Sequence, residues 1–285
     1  MRAVADENGN SPRFDIKQFF EARIYKLKLQ GGKHMSSIAE IKKIFAGADV
    51  ADYDRLIEVY KTDEREGVHK IVESFTKKKK AYEDEKLRMY KMFDFERKYG
   101  DREYICGIDE VGRGPLAGPV VAAAVVLPKE CDILYLNDSK QLSPKRREQL
   151  YDEIMDKAVA VGVGMADQDV IDDINILNAD YEAMKQAISK LSVTPQLLLN
   201  DAVNIPGVDI QQVGIIKGDT LSASIAAASI IAKVTRDRLM VEYDSIYPGY
   251  GFAKNMGYGT AEHIKALETI GPCTIHRKTF ITKFV

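Results

Sequence analysis

The chain is 285 residues long, 45% hydrophobic and 29% charged, with 41 Lys and Arg against 43 Asp and Glu for a formal net charge of -2. That is the composition of a globular protein of one large or two smaller domains, and it excludes a disordered or collagen-like chain. No apolar run approaches the roughly 20 residues of a bilayer span, and the opening MRAVADENGNSPRF lacks the basic-then-apolar order of a secretory signal, so a cytoplasmic protein with no membrane partner is expected.

Residues 1–35 read as a leader-like extension. QGGKH stands directly before Met35, and Gly-Gly-Lys is the translation of a purine-rich tract, so Met35 is the expected start of the native protein. Residues 36–100 read as a charged helical extension. Ile38, Ile41, Ile44 and Phe45, then Leu56, Ile57 and Tyr60, then Val68, Ile71, Val72 and Phe75 recur at helical spacing. Lys77 to Lys80 and AYEDEKLRMYKMFDFERKYG follow, and such a charge run is ordinarily a solvated helix face.

A second domain is expected over 101–285. YICGIDEV and VVAAAVVLP predict two strands joined through GRGPLAG, and SPKRREQLYDEIMDKAV predicts a helix with Ser143 as N-cap and Pro144 at its first position. AVGVGMA predicts a third strand and Asn178 to Leu191 a helix. LLLND and VGIIKGD predict short buried strands, and Thr220 to Tyr247 a helix packed on the sheet. This order indicates an α/β fold with a mixed sheet. Residues 1–103 hold 23 basic and 20 acidic side chains, and 104–285 hold 18 and 23. An acidic second part argues against a phosphate-binding surface unless cations neutralise its carboxylates.

Four acids sit where strands end or turn: Asp109 and Glu110 in GIDEVGRG, Asp201 in LLLND, and Asp219 in IIKGD. Acids at the carboxyl ends of adjacent strands converge in an open α/β sheet, and repel one another unless cations lie between them. Three scattered cysteines and four histidines leave carboxylates as the only ligand set, which suits Mg²⁺ or Mn²⁺. Each acid also has a structural reading. Asp219 serves equally as the N-cap of the following helix, and Asp201 as a strand-closing turn residue. Asp109 is harder to reduce, because an unpaired charge buried between YICGI and an apolar strand costs several kcal/mol. Asp109 and Glu110, being neighbours, point to opposite faces of a strand unless it bends or ends there. The GRGPLAGP loop lacks the Gly-Lys-Ser/Thr of a P-loop and the spacing of a dinucleotide motif.

GIDEVGRGPLAGPVVAAAVVLP, LNDSKQLSPKRRE, IIKGD, IAAASIIAKVTRDRLM, YGFAKNMGYGTAEH and HRKTF together resemble bacterial ribonuclease HII, in order, over essentially all of 104–285. Residues 36–100 look like the helical N-terminal extension of some bacterial members. The resemblance implies a ribonuclease H-like fold: a five-stranded mixed sheet flanked by helices, with a C-terminal helical part. It also implies endonucleolytic cleavage of RNA in RNA–DNA hybrids, single ribonucleotides embedded in duplex DNA included. Under it, Asp109, Glu110, Asp201 and Asp219 are the catalytic, metal-binding acids for two Mn²⁺ or Mg²⁺ ions. Gly112, Arg113 and Gly114 contact the ribonucleotide 2′-OH, and Tyr258 senses the RNA–DNA junction. Ser139, Lys140, Lys217, Lys254 and Asn255 contact the nucleic-acid backbone. Two departures stand out: Met256 replaces a Lys common before GYGT, and Asn200 precedes the third acid.

The chemistry that the resemblance implies is in-line attack of water on a phosphodiester, leaving a 5′-phosphate and a 3′-hydroxyl, with two cations a few Å apart assisting both oxygens. Two rivals stand beside it. Ribonuclease HIII shares much of the core but carries a sheet-containing N-terminal platform. A non-catalytic hybrid-binding module would gain nothing from negative charge facing phosphates. A monomer is expected.

Overall fold

The computed structural model describes residues 36–285; the leader-like reading of 1–35 lies outside them. The chain divides into two compact units between Asp84 and Glu85, within a long helix. The first unit contains helix α1 (Ile38–Gly47), a 3-10 turn (Val50–Asp52), α2 (Tyr53–Tyr60) and the start of α3 (Glu66–Met92). Ser37 and Glu40 close a reciprocal capping box on α1. Most of the helical-spacing residues named above meet, together with Tyr53, in one core of Ile41, Ile44, Phe45, Tyr53, Leu56, Tyr60, Val68, Ile71 and Phe75, with the Phe45 and Phe75 rings 4.9 Å apart. Ile38 is exposed, and Ile57 and Val72 pack at the margin of this core.

The second unit opens with the end of α3 and α4 (Asp94–Lys98), followed by β1 (Ile105–Val111) and β2 (Val120–Val126). Next come α5 (Pro144–Lys157), β3 (Ala160–Ala166), α6 (Gln168–Ser189), β4 (Leu197–Asp201) and β5 (Gln211–Ile215). The C-terminal part is helical: α7 (Gly218–Leu221), α8 (Ala223–Ile246), α9 (Phe252–Asn255), α10 (Ala261–Ile270) and α11 (Lys278–Ile281). The five strands form one sheet in the order β3-β2-β1-β4-β5. β1 pairs antiparallel with β2 and parallel with β4, so the sheet is mixed.

Both faces of the sheet are covered, which is why all seven β2 residues are buried. Val121, Ala123 and Val125 pack in the cluster that contains α8 residues, while Val120, Ala122, Ala124 and Val126 pack with α6 residues such as Ala183 and Met184. Small residues allow these layers to approach closely. A Cβ on Gly107 would overlap the α8 backbone at Ser224 and Ile225. The helix at 144–157 begins as its sequence predicts, Ser143 Oγ accepting from Arg146 N at 3.3 Å with Pro144 at the first position. The helix expected from Asn178 begins earlier, at Gln168, and kinks at Asn175, whose φ is +66° and whose Oδ1 accepts from the Leu177 and Asn178 amides. The helix expected over Thr220 to Tyr247 is instead α7 followed by α8.

Candidate active site

β1 runs unbroken through Asp109 and Glu110, paired with Ala123 and Ala122 of β2, and turns only at Gly112, where φ is +98°. The two acids therefore keep the alternation of a regular strand. Asp109 lies on the α8 face, where Ser229 hydrogen-bonds it, and Ser229 Oγ lies 3.0 Å from Ser139 Oγ. Glu110 lies on the α6 face, 3.7 Å from Arg113 and within the field of Asp180. What brings them into one site is the end of β4 alongside. Asp201 repels both Asp109 and Glu110 electrostatically. Asp201 Oδ1 accepts from the Gly218 amide at 2.8 Å, which draws the following Asp219 to the same end of the strands. Asp219 does not cap the long helix: Ser222 does, its hydroxyl accepting from Ile225 N at 3.3 Å.

The electrostatics follow from this crowding. Burial, then repulsion from Glu110 and Asp201, pushes Asp109 well above the usual carboxylate range. Burial and Asp201 raise Glu110 against the pull of Arg113. Burial, Asp138 and Asp201 raise Asp219 against Lys140. Among the described residues no three His, Cys, Asp or Glu side chains are gathered closely enough to hold one ion. The four acids are thus electrostatic neighbours around the carboxyl ends of β1 and β4, with Asp109 and Glu110 on opposite faces of the sheet. An all-oxygen donor set of mutually repelling carboxylates suits a hard divalent cation, and Glu110 Oε2 is buried with no hydrogen-bond partner. In donor chemistry the residues present fit such ions.

Two acids were missed by sequence reasoning. Asp180 of α6 is fully buried, its oxygens accept no hydrogen bond, and Arg113 Nε is 3.7 Å away. Burial and the charge of Glu110 push Asp180 up to about 8. Its position within an otherwise ordinary helix, NADYEAMKQA, carries no signal of this. Asp138, whose side chain caps the Ser139–Gln141 turn, is the second; a carboxylate just ahead of SKQ that interacts with Asp219 was legible only once the fold was known.

Of the other sequence-predicted residues, Gly112, Arg113, Gly114 and Tyr258 come together. A Cβ on Gly114 would lie 3.8 Å from Tyr258 Cε1, so the tyrosine ring, 42% exposed, stands beside the loop. Lys140 lies near Asp219, and Lys217 immediately precedes Gly218 in a left-handed conformation of φ +59°. Lys254 lies in α9, near Glu262. Ser139 is buried, and Asn255 is used internally: its Nδ2 donates to Tyr250 O at 2.7 Å and its Oδ1 accepts from Gly257 N at 2.8 Å. Asn200, the departure before the third acid, is fully buried and ties the loop after β4, its Nδ2 donating to Gln212 Oε1 at 2.9 Å.

Two arginines with no exposed surface hold these loops from beneath. Arg277 Nη2 donates to Gly112 O at 2.6 Å and Arg277 Nη1 to Arg113 O at 3.0 Å, while Arg236 reaches Pro119 O, Met256 O and Ala117 O at 2.8–3.1 Å. Burial lowers Arg277 to about 9 and Arg236 to about 10, both still charged at neutral pH.

Residues 106–283 match the family model Ribonuclease HII, and residues 37–100 match Ribonuclease HII N-terminal domain. The chain is 59% identical over 244 residues to a ribonuclease HII of Lachnoclostridium phytofermentans, covering 86% of this chain and 96% of that one. It is 52% identical over 246 residues to that of Ligilactobacillus salivarius, covering 86% and 95%. Among solved structures, the ribonuclease H2 of Pyrococcus horikoshii aligns with a TM-score of 0.53 at 28% identity, covering 62% of this chain and 93% of that one. A ribonuclease HII of Archaeoglobus fulgidus, solved in complex with PCNA, aligns at 0.51 and 25%, covering 61% and 94%. No helix among the described residues is long and apolar enough to cross a membrane. With a matched fold, matched family models over both parts and close relatives over most of its length, this chain belongs to the ribonuclease HII family of metal-dependent endoribonucleases.

Proposed function

We propose that the protein hydrolyses the RNA strand of RNA–DNA hybrids and nicks duplex DNA on the 5′ side of a single embedded ribonucleotide, leaving a 5′-phosphate and a 3′-hydroxyl, and that it acts as a monomer. The observation that carries this reading is the meeting of two features at the carboxyl ends of β1 and β4. The repelling acids Asp109, Glu110, Asp201 and Asp219 lie there, and the loop of Gly112, Arg113 and Gly114 leads from the same strand to the Tyr258 ring. Two divalent cations, Mn²⁺ or Mg²⁺, held by these four acids would supply Lewis-acid activation of water and charge stabilisation of the departing 3′-oxygen.

The chain's own residues supply selection and orientation. Selectivity for RNA rests on the 2′-OH, the group that distinguishes it from DNA at a given site. The Gly112–Gly114 loop offers backbone groups and the Arg113 guanidinium to that hydroxyl, with Arg113 aimed by Glu110 and Asp180. Tyr258 stacks on the adjoining sugar. Lys140, Lys217 and Lys254 meet backbone phosphates, whereas the engaged side chains of Ser139 and Asn255 support the site from within. Asp109 would hold, from the α8 side, a cation that the reacting phosphate shares, and is itself fixed by Ser229.

The test is a duplex with one embedded ribonucleotide, incubated with Mn²⁺, Mg²⁺ or chelator. Cleavage 5′ to the ribonucleotide with either ion, its loss in chelator, and an Asp109→Asn variant that binds hybrid but does not cut are the expected results. An intact duplex under all conditions rejects the reading, and an Asp109→Asn variant that loses binding rejects the assigned role of Asp109.

A further inference from the structure

The HRKTF segment has no role in the reading above, yet its first two side chains lead to both substrate-facing loops. His276 and His263 are 2% and 0% exposed, and their Nε2 atoms are 3.0 Å apart. His263 Nδ1 lies 2.9 Å from Tyr258 O, which only accepts, so His263 carries its proton on Nδ1. Its Nε2 is then bare and accepts from His276 Nε2–H. That leaves His276 Nδ1 bare, and the Cys273 amide donates to it at 3.0 Å. One distribution of protons satisfies these three contacts and keeps both rings neutral; Cys273 Sγ, 3.2 Å from Nδ1, can donate to it as well, while Cys273 O, also at 3.2 Å, receives no proton from the ring. The opposite tautomer of His276 would reach Cys273 O, but it would set an N–H against the Cys273 N–H and a bare Nε2 against the bare Nε2 of His263. Burial favours the same state: it lowers both histidines, His276 to about 4.

The next residue, Arg277, forks to the carbonyls of Gly112, Arg113 and Gly118. Its own amide donates to Leu116 O at 2.9 Å, and His276 bridges to Ala117. The strand-like contact between 116–118 and 275–277 thus fixes where both side chains leave.

We infer that His276 and Arg277 are positioning residues that form one clamp: His276 holds the Tyr258 backbone through His263 in a single tautomeric arrangement, while Arg277 holds the Gly112–Gly114 loop, setting the spacing between the two elements that recognise the ribonucleotide. This rests on the hybrid-cleaving reading given above.

The test has two readouts on the full chain. A long-range ¹H–¹⁵N spectrum of the imidazoles at pH 7, assigned by single-histidine variants among the four in the chain, is expected to show His276 protonated on Nε2 and His263 on Nδ1. A proton on His276 Nδ1 overturns the inference. The second readout compares two substitutions. In His276→Gln the amide nitrogen takes the place of Nε2 and keeps the donor to His263. In His276→Asn the amide oxygen takes the place of Nδ1, keeps the Cys273 contact and breaks the link onward. Loss of the link is expected to lower kcat/KM on a hybrid by about 10- to 100-fold in His276→Asn, the scale of a misplaced positioning contact, with most of that activity retained in His276→Gln. Equal losses in the two variants overturn the inference, as does an unchanged kcat/KM in His276→Asn. An inactive wild-type protein with the expected tautomers supports the clamp and rejects the nuclease reading, so the two failures are distinguishable. Should either variant fail to fold, the tautomers of the wild-type protein still decide.

Discussion

Asp180 is a buried carboxylate that no hydrogen bond relieves, and its effect on stability has a definite sign. Its folded-state value is raised from 3.8 to about 8, chiefly by burial and then by Glu110. Between those limits the folded chain holds a proton that the unfolded chain has lost, so stability falls as pH rises through about 4 to 8. Asp180→Asn removes that loss. Thermal melts in chelator should show a higher Tm for the variant at pH 7 and a flatter dependence on pH, and a lower Tm would mean that the carboxylate is satisfied in the folded state. The same substitution takes a charged partner from Arg113. Because the pair is 3.7 Å apart and Arg113 is partly exposed, the expected loss of cleavage is at most about tenfold. A side chain that costs stability and aids the site is an instance of the trade-off found at functional positions.

At the level of elements, the site depends on how closely β1 lies on α8. Gly107 is two residues before Asp109, and any Cβ there meets the helix backbone at Ser224 and Ile225. Gly107→Ala should cost at least about 1–3 kcal/mol in denaturant unfolding and lower cleavage further by displacing Asp109; an unchanged midpoint would show that the layers separate freely. The acids themselves give a second prediction at this scale. Mn²⁺ or Mg²⁺ at about 100 times its dissociation constant should raise stability by about 2.7 kcal/mol, and Asp109→Asn should remove much of that gain; an equal gain in the variant would place the ions elsewhere.

The sequence makes these elements legible unevenly. β2 could be read because a run of Val and Ala between a glycine and a proline suits a strand covered on both faces, whereas β3, at the end of the strand order, alternates in burial. The number of strands and their mixed pairing agree with what the family resemblance implies. The two-faced arrangement of Asp109 and Glu110 was posed correctly as a problem of alternation, but its solution was not visible: β1 neither bends nor ends, and the end of β4 unites the two sides. Asp219 read as readily as a helix cap because the break at Ser222 lies in a run of small residues, LSASIAAAS, with no proline or glycine to announce it. Asp180 was hidden for the same kind of reason, since a lone acid on a helix reveals its environment only through tertiary packing.

For the whole molecule, the composition changes near residue 100, whereas the contacts change partner between Asp84 and Glu85. The segment between these points is tied into the second unit. Glu85 Oε1 accepts from Tyr135 N at 2.7 Å, Arg88 Nη2 donates to Leu136 O at 2.8 Å, and Met89 and Met92 join the core beneath α8. Glu96 Oε1 accepts from the Ser224 amide at 3.0 Å and from the hydroxyls of Ser222 and Ser224, so it closes the N-terminus of the helix that carries Ser229. Removing 85–100 takes away two buried methionines, at about 2–5 kcal/mol each by analogy with truncation to Ala, and a helix-terminal acceptor worth about 1 kcal/mol. Losses of that size rival the total stability of a domain. A chain beginning at Glu85 is therefore expected to melt cooperatively and cleave hybrid, while one beginning at residue 101 is expected to be unfolded or to melt far lower. Near-equal melting of the two would show that the segment contributes nothing to the second unit. The chain beginning at Glu85 also isolates the first unit's part in binding. If helices α1 and α2 touch phosphates, their removal makes the slope of log affinity for hybrid against log salt shallower by about 0.9 for each phosphate they neutralise, and an unchanged slope assigns all phosphate binding to the second unit.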